Sequence, residues 1–311
     1  MLSRAILLTA VAALAIAGTT DLASAKDAKK IGLAVANLQA DFFNQIKQSV
    51  EAYGKTKDLE IITVDAKGDA ATQVSQIQDL LAQNIDALIY IPAGATAASV
   101  PVKAAKADGV PVVNVDRNAE GAPGDTFIAT NSVASAKELC TYIAKQADGK
   151  GKMLIIHGQK GTTPEVDRTK GCSEALKDYP DIKVVGELWS DGWHQDEGFK
   201  LTQDLLQTNP DVNIIWGQAD ALALGAAQAV KVAHPDHPIM VAGFDGDTAA
   251  LVALKDGVFD VTVTQQTQKM GRMAVDSAIA LVKGEKVPAE QLETATLTTK
   301  DNVAKFIEQH P

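Results

Sequence analysis

Asp116, Arg117 and Asn118 stand together at the end of the apolar run Val112-Val113-Asn114-Val115. A buried strand has no use for an acid, a base and an amide at its exit unless they face something that forms hydrogen bonds. Other β-rich runs end in the same way: Asn37, Asn131, Asp220, Asp245 and Gln265 all stand at or just beyond such an end. Carboxylates accept from hydroxyls and a guanidinium fork donates to two oxygens at once, so this is chemistry for binding polar ligands. Arg168 belongs with them. It lies one turn inside a helical pattern for which Thr163 is the expected N-cap and Pro164 the first residue, and capping gives it no role.

These residues are placed by an alternation of short apolar runs and amphipathic stretches. The runs cover 31–37, 59–65, 85–91, 110–116 and 126–130, and the scheme restarts with 151–158, 182–188, 212–218, 238–245 and 258–265. Between them the period is helical; Asp69, for example, can cap a helix whose apolar face is Val74, Ile77, Leu80 and Leu81. The runs are continuously apolar rather than alternating, as in parallel strands covered on both faces. Two open α/β sheets in series fit the 311 residues, and in such sheets ligands bind beyond the carboxyl ends of the strands.

The usual marks of enzymes and cofactors are missing. Where a dinucleotide fold needs GxGxxG, the chain has Asn37-Leu38-Gln39-Ala40-Asp41, and Gly149-Lys150-Gly151 precedes a strand instead of following one. There is no P-loop, GxSxG or HExxH. The five histidines form no ligand cluster, since His234-Pro235-Asp236-His237 reads as a loop. Neither an enzyme, a cofactor nor a metal is expected. A net charge of -10 without a Lys/Arg cluster argues against nucleic acid as a partner.

Residues 1–25 carry Arg4, an apolar run from Ala5 to Ala17, and Ala23-Ser24-Ala25, the small-x-small form of a secretory cleavage site. The run falls short of the ~20 residues that span a bilayer. A cleaved signal peptide and export are therefore expected. In an oxidising compartment Cys140 and Cys172, on two helical segments separated by one strand, are either disulfide-bonded or two buried thiols.

The ordered set Asp41-Phe42-Phe43, Val115-Asp116-Arg117, Arg168-x-x-Gly171, Trp193, Gln218-x-Asp220-x-x-Ala223-Leu224-Gly225, Gly243-Phe244-Asp245-Gly246 and Gln265 resembles the periplasmic sugar-binding proteins of ABC transporters, type I, near the ribose-binding group. The resemblance implies two Rossmann-like lobes joined by three hinge strands, 26–130 plus 266–294 and 131–265 plus 295–311, closing on a small sugar or polyol. It implies ligand contacts from Phe42, Phe43, Asp116 and Arg117 on the first lobe. From the second it implies Arg168, Trp193, Phe244, Asp245 and Gln265, with Asn131 at a crossover and Asp220 beside a family ligand position. The partners implied are an ABC transporter permease and, in a second reading, a chemoreceptor, with a furanosyl or other non-sugar ligand in the same cleft. Asp116, Arg117, Arg168 and Asp245 sum to zero charge, which suits an uncharged ligand. Two family amides are replaced, one by Ala40-Asp41 and one by Ala219, so a different pentose, a hexose or a sugar alcohol is expected in place of ribose.

Overall fold

The computed structural model describes residues 27–310; the expected signal peptide lies outside the described residues. The first half runs β1 (Lys30–Val35), α1 (Asp41–Thr56), β2 (Glu60–Asp65), α2 (Ala70–Ala82), β3 (Ala87–Tyr90), α3 (Ser99–Ala107), β4 (Val112–Val115) and β5 (Thr126–Thr130). The second runs α4 (Ser132–Gln146), β6 (Lys150–His157), α5 (Thr163–Leu176), β7 (Asp181–Trp189), α6 (Gln195–Thr208), β8 (Ile214–Gly217), α7 (Asp220–Ala233), β9 (Met240–Ala242), α8 (Thr248–Lys255) and β10 (Val261–Thr264). The chain then continues through α9 (Thr267–Val282), β11 (Glu290–Glu293), β12 (Thr296–Thr299) and α10 (Val303–Glu308).

Two six-stranded sheets result, ordered β11-β5-β4-β3-β1-β2 and β12-β10-β9-β8-β6-β7. Every named pair is parallel except β10 with β12. The reason is visible in β3, β4 and β8, every residue of which is buried because helices cover both faces. The strand order reverses beside the first strand of each sheet, between β1 and β3 and between β6 and β8, which opens a crevice at the carboxyl edge of each.

The chain passes between the sheets three times. After β5 it enters α4, whose Leu139 and Ile143 pack in one core with Ile155 and Trp216 of the second sheet. After β10 it returns through α9, whose Met270 and Ala274 join the first core beside Ile46. Last, β11 pairs with β5 and β12 with β10. These two late strands, EQLE and TLTT, lack an apolar run because each lies at a sheet edge, so periodicity alone does not reveal them.

Local details follow the sequence closely, with small shifts. Asp69 is the N-cap of α2 and its carboxylate accepts from Thr72 N at 2.5 Å. Val74 and Leu81 are only half-buried on that helix, whereas Gln73 is buried and donates to Ile91 O at 2.8 Å. In α5 the cap is Thr162, one residue earlier than expected, and Pro164 is the second helical residue. Cys140 of α4 and Cys172 of α5 are joined by a disulfide with their Cα atoms 5.2 Å apart. The two helices come this close at Gly171, where a Cβ would stand 2.2 Å from Val133 O.

Candidate functional site

A cavity of about 270 Å³ lies where the carboxyl edges of the two sheets face each other. On the first-lobe side Phe42 and Phe43 open α1, their ring centroids 5.3 Å apart and edge to face. Asp116 and Arg117 follow β4 directly. Asp116 has φ 60°, a left-handed conformation that a non-glycine residue adopts at a cost of ~1–3 kcal/mol and that turns its side chain out of the strand line. Arg117 is fixed by donating from Nη1 to Pro92 O at 3.0 Å and Ala93 O at 3.2 Å, with its guanidinium 5.1 Å from the Phe43 centroid. Its Nε stands 3.6 Å from Asp116 Oδ2.

The opposite wall is built around Arg168. Its Nη1 donates to Gln218 O, its Nη2 donates to Asp245 Oδ1 at 3.1 Å, and its plane lies 3.8 Å from the Phe244 centroid. The Nε of Arg168 is buried with no partner, as is the Nε1 of Trp193. Trp193 also has a positive φ, 65°, and its ring lies flat against Gly158, where any Cβ would come within 1.8 Å of it. The loop that presents it is gathered by Glu197 of α6, whose carboxylate accepts from Asp191 N, Gly192 N, His194 N and the Ser190 hydroxyl. Burial opposes the charge on Glu197, but those donors outweigh it and hold the carboxyl below its ordinary range.

Seven of the residues expected at a ligand therefore line one cavity: Phe42, Phe43, Asp116, Arg117, Arg168, Trp193 and Asp245. Four others are placed behind or beside it. Phe244 is fully buried and forms the floor under Arg168. Gln265 is fully buried and donates from Nε2 to Asp245 Oδ1 at 2.7 Å. Asp220 is fully buried and accepts from Thr262 Oγ1 at 2.5 Å, Gly246 N at 2.7 Å and Asp247 N at 2.9 Å. Asn131 is the N-cap of α4, accepting from Ala134 N at 3.1 Å. Strand-end position singles out Asn131, Asp220 and Gln265 and the resemblance adds Phe244, but the four side chains turn toward the site's own framework. Asn37 likewise accepts from Gln39 N at 3.0 Å.

The wall also holds residues the sequence did not assign to it, chiefly Gln39, Pro164, His194, Gln195 and Asp247. Asp247 stands two residues past Asp245 in the same strand-to-helix loop, so the strand-end pattern carried one step further reaches it. Ala40 and Ala219 line the wall where the resembling group has amides, leaving those stretches apolar.

Beyond the Asp116–Arg117 and Arg168–Asp245 pairs, the cavity has two more acids, Asp41 and Asp247. Asp41 Oδ2 accepts from Gln45 Nε2 and Thr248 N, both at 2.9 Å. Burial pushes the carboxyls up: Asp245 to about 7 and Asp220 to about 6, the latter against donors that pull it down. Asp116 is raised by burial despite Arg117 and Arg168. The arrangement offers donors and acceptors suited to polar groups, and no group of three or more metal-ligating side chains occurs among the described residues.

Two polar bridges join the walls besides Asp41: Asn118 N donates to Thr163 Oγ1 at 3.0 Å, and Arg117 Nη1 to Gln159 Oε1 at 3.4 Å. The cleft is thus closed in this structure. Residues 31–286 match the periplasmic binding protein domain. The chain belongs to that family. It is 33% identical over 257 residues to the ribose import binding protein RbsB of Bacillus subtilis, covering 83% of each chain. It is 31% identical over 292 residues to the xylitol-binding protein of Mycolicibacterium smegmatis, covering 94% of this chain and 83% of that one. A solved ABC transporter solute-binding protein from Bacillus halodurans C-125 with bound myo-inositol superposes with a TM-score of 0.85 at 26% identity, covering 91% of this chain and 99% of that one. These relatives are solute-binding proteins and not enzymes. Two α/β lobes with mostly parallel sheets are the type I architecture of such proteins. Among the described residues no helix is long and apolar enough to cross a membrane.

Proposed function

We propose that this periplasmic binding protein is exported by a cleaved signal peptide, residues 1–25, and captures a small hydroxyl-rich carbohydrate, a monosaccharide or sugar alcohol, for an ABC transporter permease. Its lobes are 26–130 plus 266–294 and 131–265 plus 295–311, and they close on the ligand. The observation that carries this reading is the cavity wall, in which the aromatic faces of Phe42, Phe43 and Trp193 alternate with Asp116, Arg117, Arg168 and Asp245. Aromatic faces cover the C–H side of a sugar, while charged groups bond its hydroxyls. At about 270 Å³ the cavity falls just under the usual ~300–1,000 Å³ of small-molecule sites, room for one ring or a short polyol. The ribose-binding, xylitol-binding and inositol-bound relatives support the same class.

A thermal-shift screen of the mature chain against pentoses, hexoses, cyclitols and sugar alcohols tests the reading. A ligand at 100 times its Kd stabilises the folded state by ~2.7 kcal/mol, a clear shift. The reading is abandoned if no member of the panel raises the melting temperature. Intact mass of periplasmic protein is expected to show a chain starting at Lys26.

A further inference from the structure

Asp247 is the one acid of the cavity wall with nothing to neutralise it. Asp116 has Arg117, Asp245 has Arg168, and Asp41 has two hydrogen-bond donors. Asp247 Oδ1 is buried with no hydrogen-bond partner, and no cation stands within ion-pair distance of its carboxylate among the described residues. It occupies the N-cap position of α8 without making a cap bond, so the first free N–H groups of that helix do not satisfy it either. Thr248 N, the N–H nearest in sequence, is committed to Asp41 across the cleft.

The residue as a whole is half-buried, but a carboxylate oxygen held out of water without a partner disfavours the charged form. A buried acid is neutralised by a proton or by a cation brought in. The surroundings show the strain. Burial pushes the Asp247 carboxyl well above the ordinary range, and Asp245, Asp220 and Asp41 push it further, against only a small opposing effect of Arg168. On the same wall, Arg168 Nε and Trp193 Nε1 are buried donors without a hydrogen-bond partner among the described residues, on side chains that line the cavity. The ligand that completes this wall has oxygens for the donors and a cationic donor for Asp247.

We infer that the site prefers a polyhydroxylated ring or chain bearing a primary amine over its all-hydroxyl counterpart, with the ammonium group received by the carboxylate of Asp247. This rests on the carbohydrate reading above and narrows it. Neutral parents still fit, because Asp247 then carries a proton and donates a single hydrogen bond. An ammonium group displaces that proton and gains a charge-assisted bond. Asp247 is in this sense a specificity-determining residue that acts by direct contact.

Calorimetry on the mature chain at pH 7 decides this, with the matched probes D-glucose and D-glucosamine, myo-inositol and a monoamino-deoxy-inositol, and xylitol and 1-amino-1-deoxyxylitol. In at least one pair the amine is expected to bind about 10-fold or more tightly than its parent. Titration in buffers of different ionisation enthalpy should show proton release with the amine and none with the parent. The charged groups acting on Asp247 are Asp245, Asp220, Asp41 and Arg168, so Asp247→Asn provides the assignment. In that variant the ratio of amine to parent affinity should fall to within about twofold of one, whatever the change in parent affinity, and Asp247→Ser should do the same if Asn perturbs the fold. The inference is overturned if parents bind and no amine binds more tightly, or if the advantage survives in both variants. If neither the probes nor any sugar or polyol of the wider screen binds, the carbohydrate reading itself fails, a result distinct from either of these.

Discussion

Arg168 joins Gln218, Asp245 and Phe244 in the cavity wall, and its buried Nε has no hydrogen-bond partner among the described residues. A hydrogen bond to a charged group is worth ~1.5–3 kcal/mol, so Arg168→Ala or Asp116→Ala should weaken ligand binding by roughly 10- to 150-fold in calorimetry. Unchanged affinity in either variant would remove that residue from the site. Asp245 gives a second, ligand-free prediction. Burial and its acidic neighbours raise its folded-state pKa from 3.8 to about 7, so the folded protein binds this proton more tightly than the unfolded chain does. The stabilisation is complete below 3.8 and is lost as the pH rises to about 7. Asp245→Asn, which has no such proton, should therefore gain stability relative to wild type across that window and stay level outside it. Urea denaturation at a series of pH values measures the difference, and a flat difference would show that the carboxyl is not raised.

Elements in this protein are arranged to hold single side chains in unfavourable conformations. Asp116, Trp193 and Asp245 all have positive φ, and each follows a strand or sits in a loop braced on both sides. The α4–α5 pair braces Arg168 from behind through the Cys140–Cys172 disulfide one turn further along α5. Replacing both cysteines by serine should lower unfolding free energy by ~2–4 kcal/mol. Ligand affinity should change far less, since Arg168 keeps Gln218 and Asp245 as partners. A double variant as stable as wild type toward urea would make the disulfide incidental. The Gly158–Trp193 contact is the other brace, since no side chain larger than hydrogen leaves room for the indole.

At the scale of the whole molecule, closure is the property on which the proposed function turns. The bridges from Asn118 to Thr163 and from Asp41 to Thr248 exist only while the lobes are together. Hinge closure around a ligand is the motion open to two lobes joined by three strands. Thr163→Val removes one acceptor without changing shape and should weaken binding by up to about tenfold, the worth of one neutral hydrogen bond. Small-angle scattering should then show wild type contracting on ligand addition and the variant needing more ligand to contract. A profile that ignores ligand in wild type would mean that the cleft is always closed.

Much of this architecture is written locally. The ten apolar runs, the cap at Asp69 and the polar residues at the strand ends depend on short-range pattern, and the fold keeps them. Of the seven cavity residues, Asp116, Arg117 and Asp245 stand at strand ends, which converge in any doubly wound sheet, while Phe42, Phe43, Arg168 and Trp193 are implied as ligand contacts by the family resemblance. What a linear pattern cannot state is the direction of a side chain once packing is complete. Phe244 and Gln265 turn into the framework because Arg168 and Asp245 need a floor and a donor, and Asp220 because the loop's backbone N–H groups need an acceptor. Late edge strands such as Glu290–Glu293 pair through backbone and polar side chains and leave no apolar signal. The unpaired carboxylate of Asp247 belongs to the same class. The local sequence shows only that an acid stands in the loop; that none of the described residues brings a base to its carboxylate is decided by two sheets folding face to face.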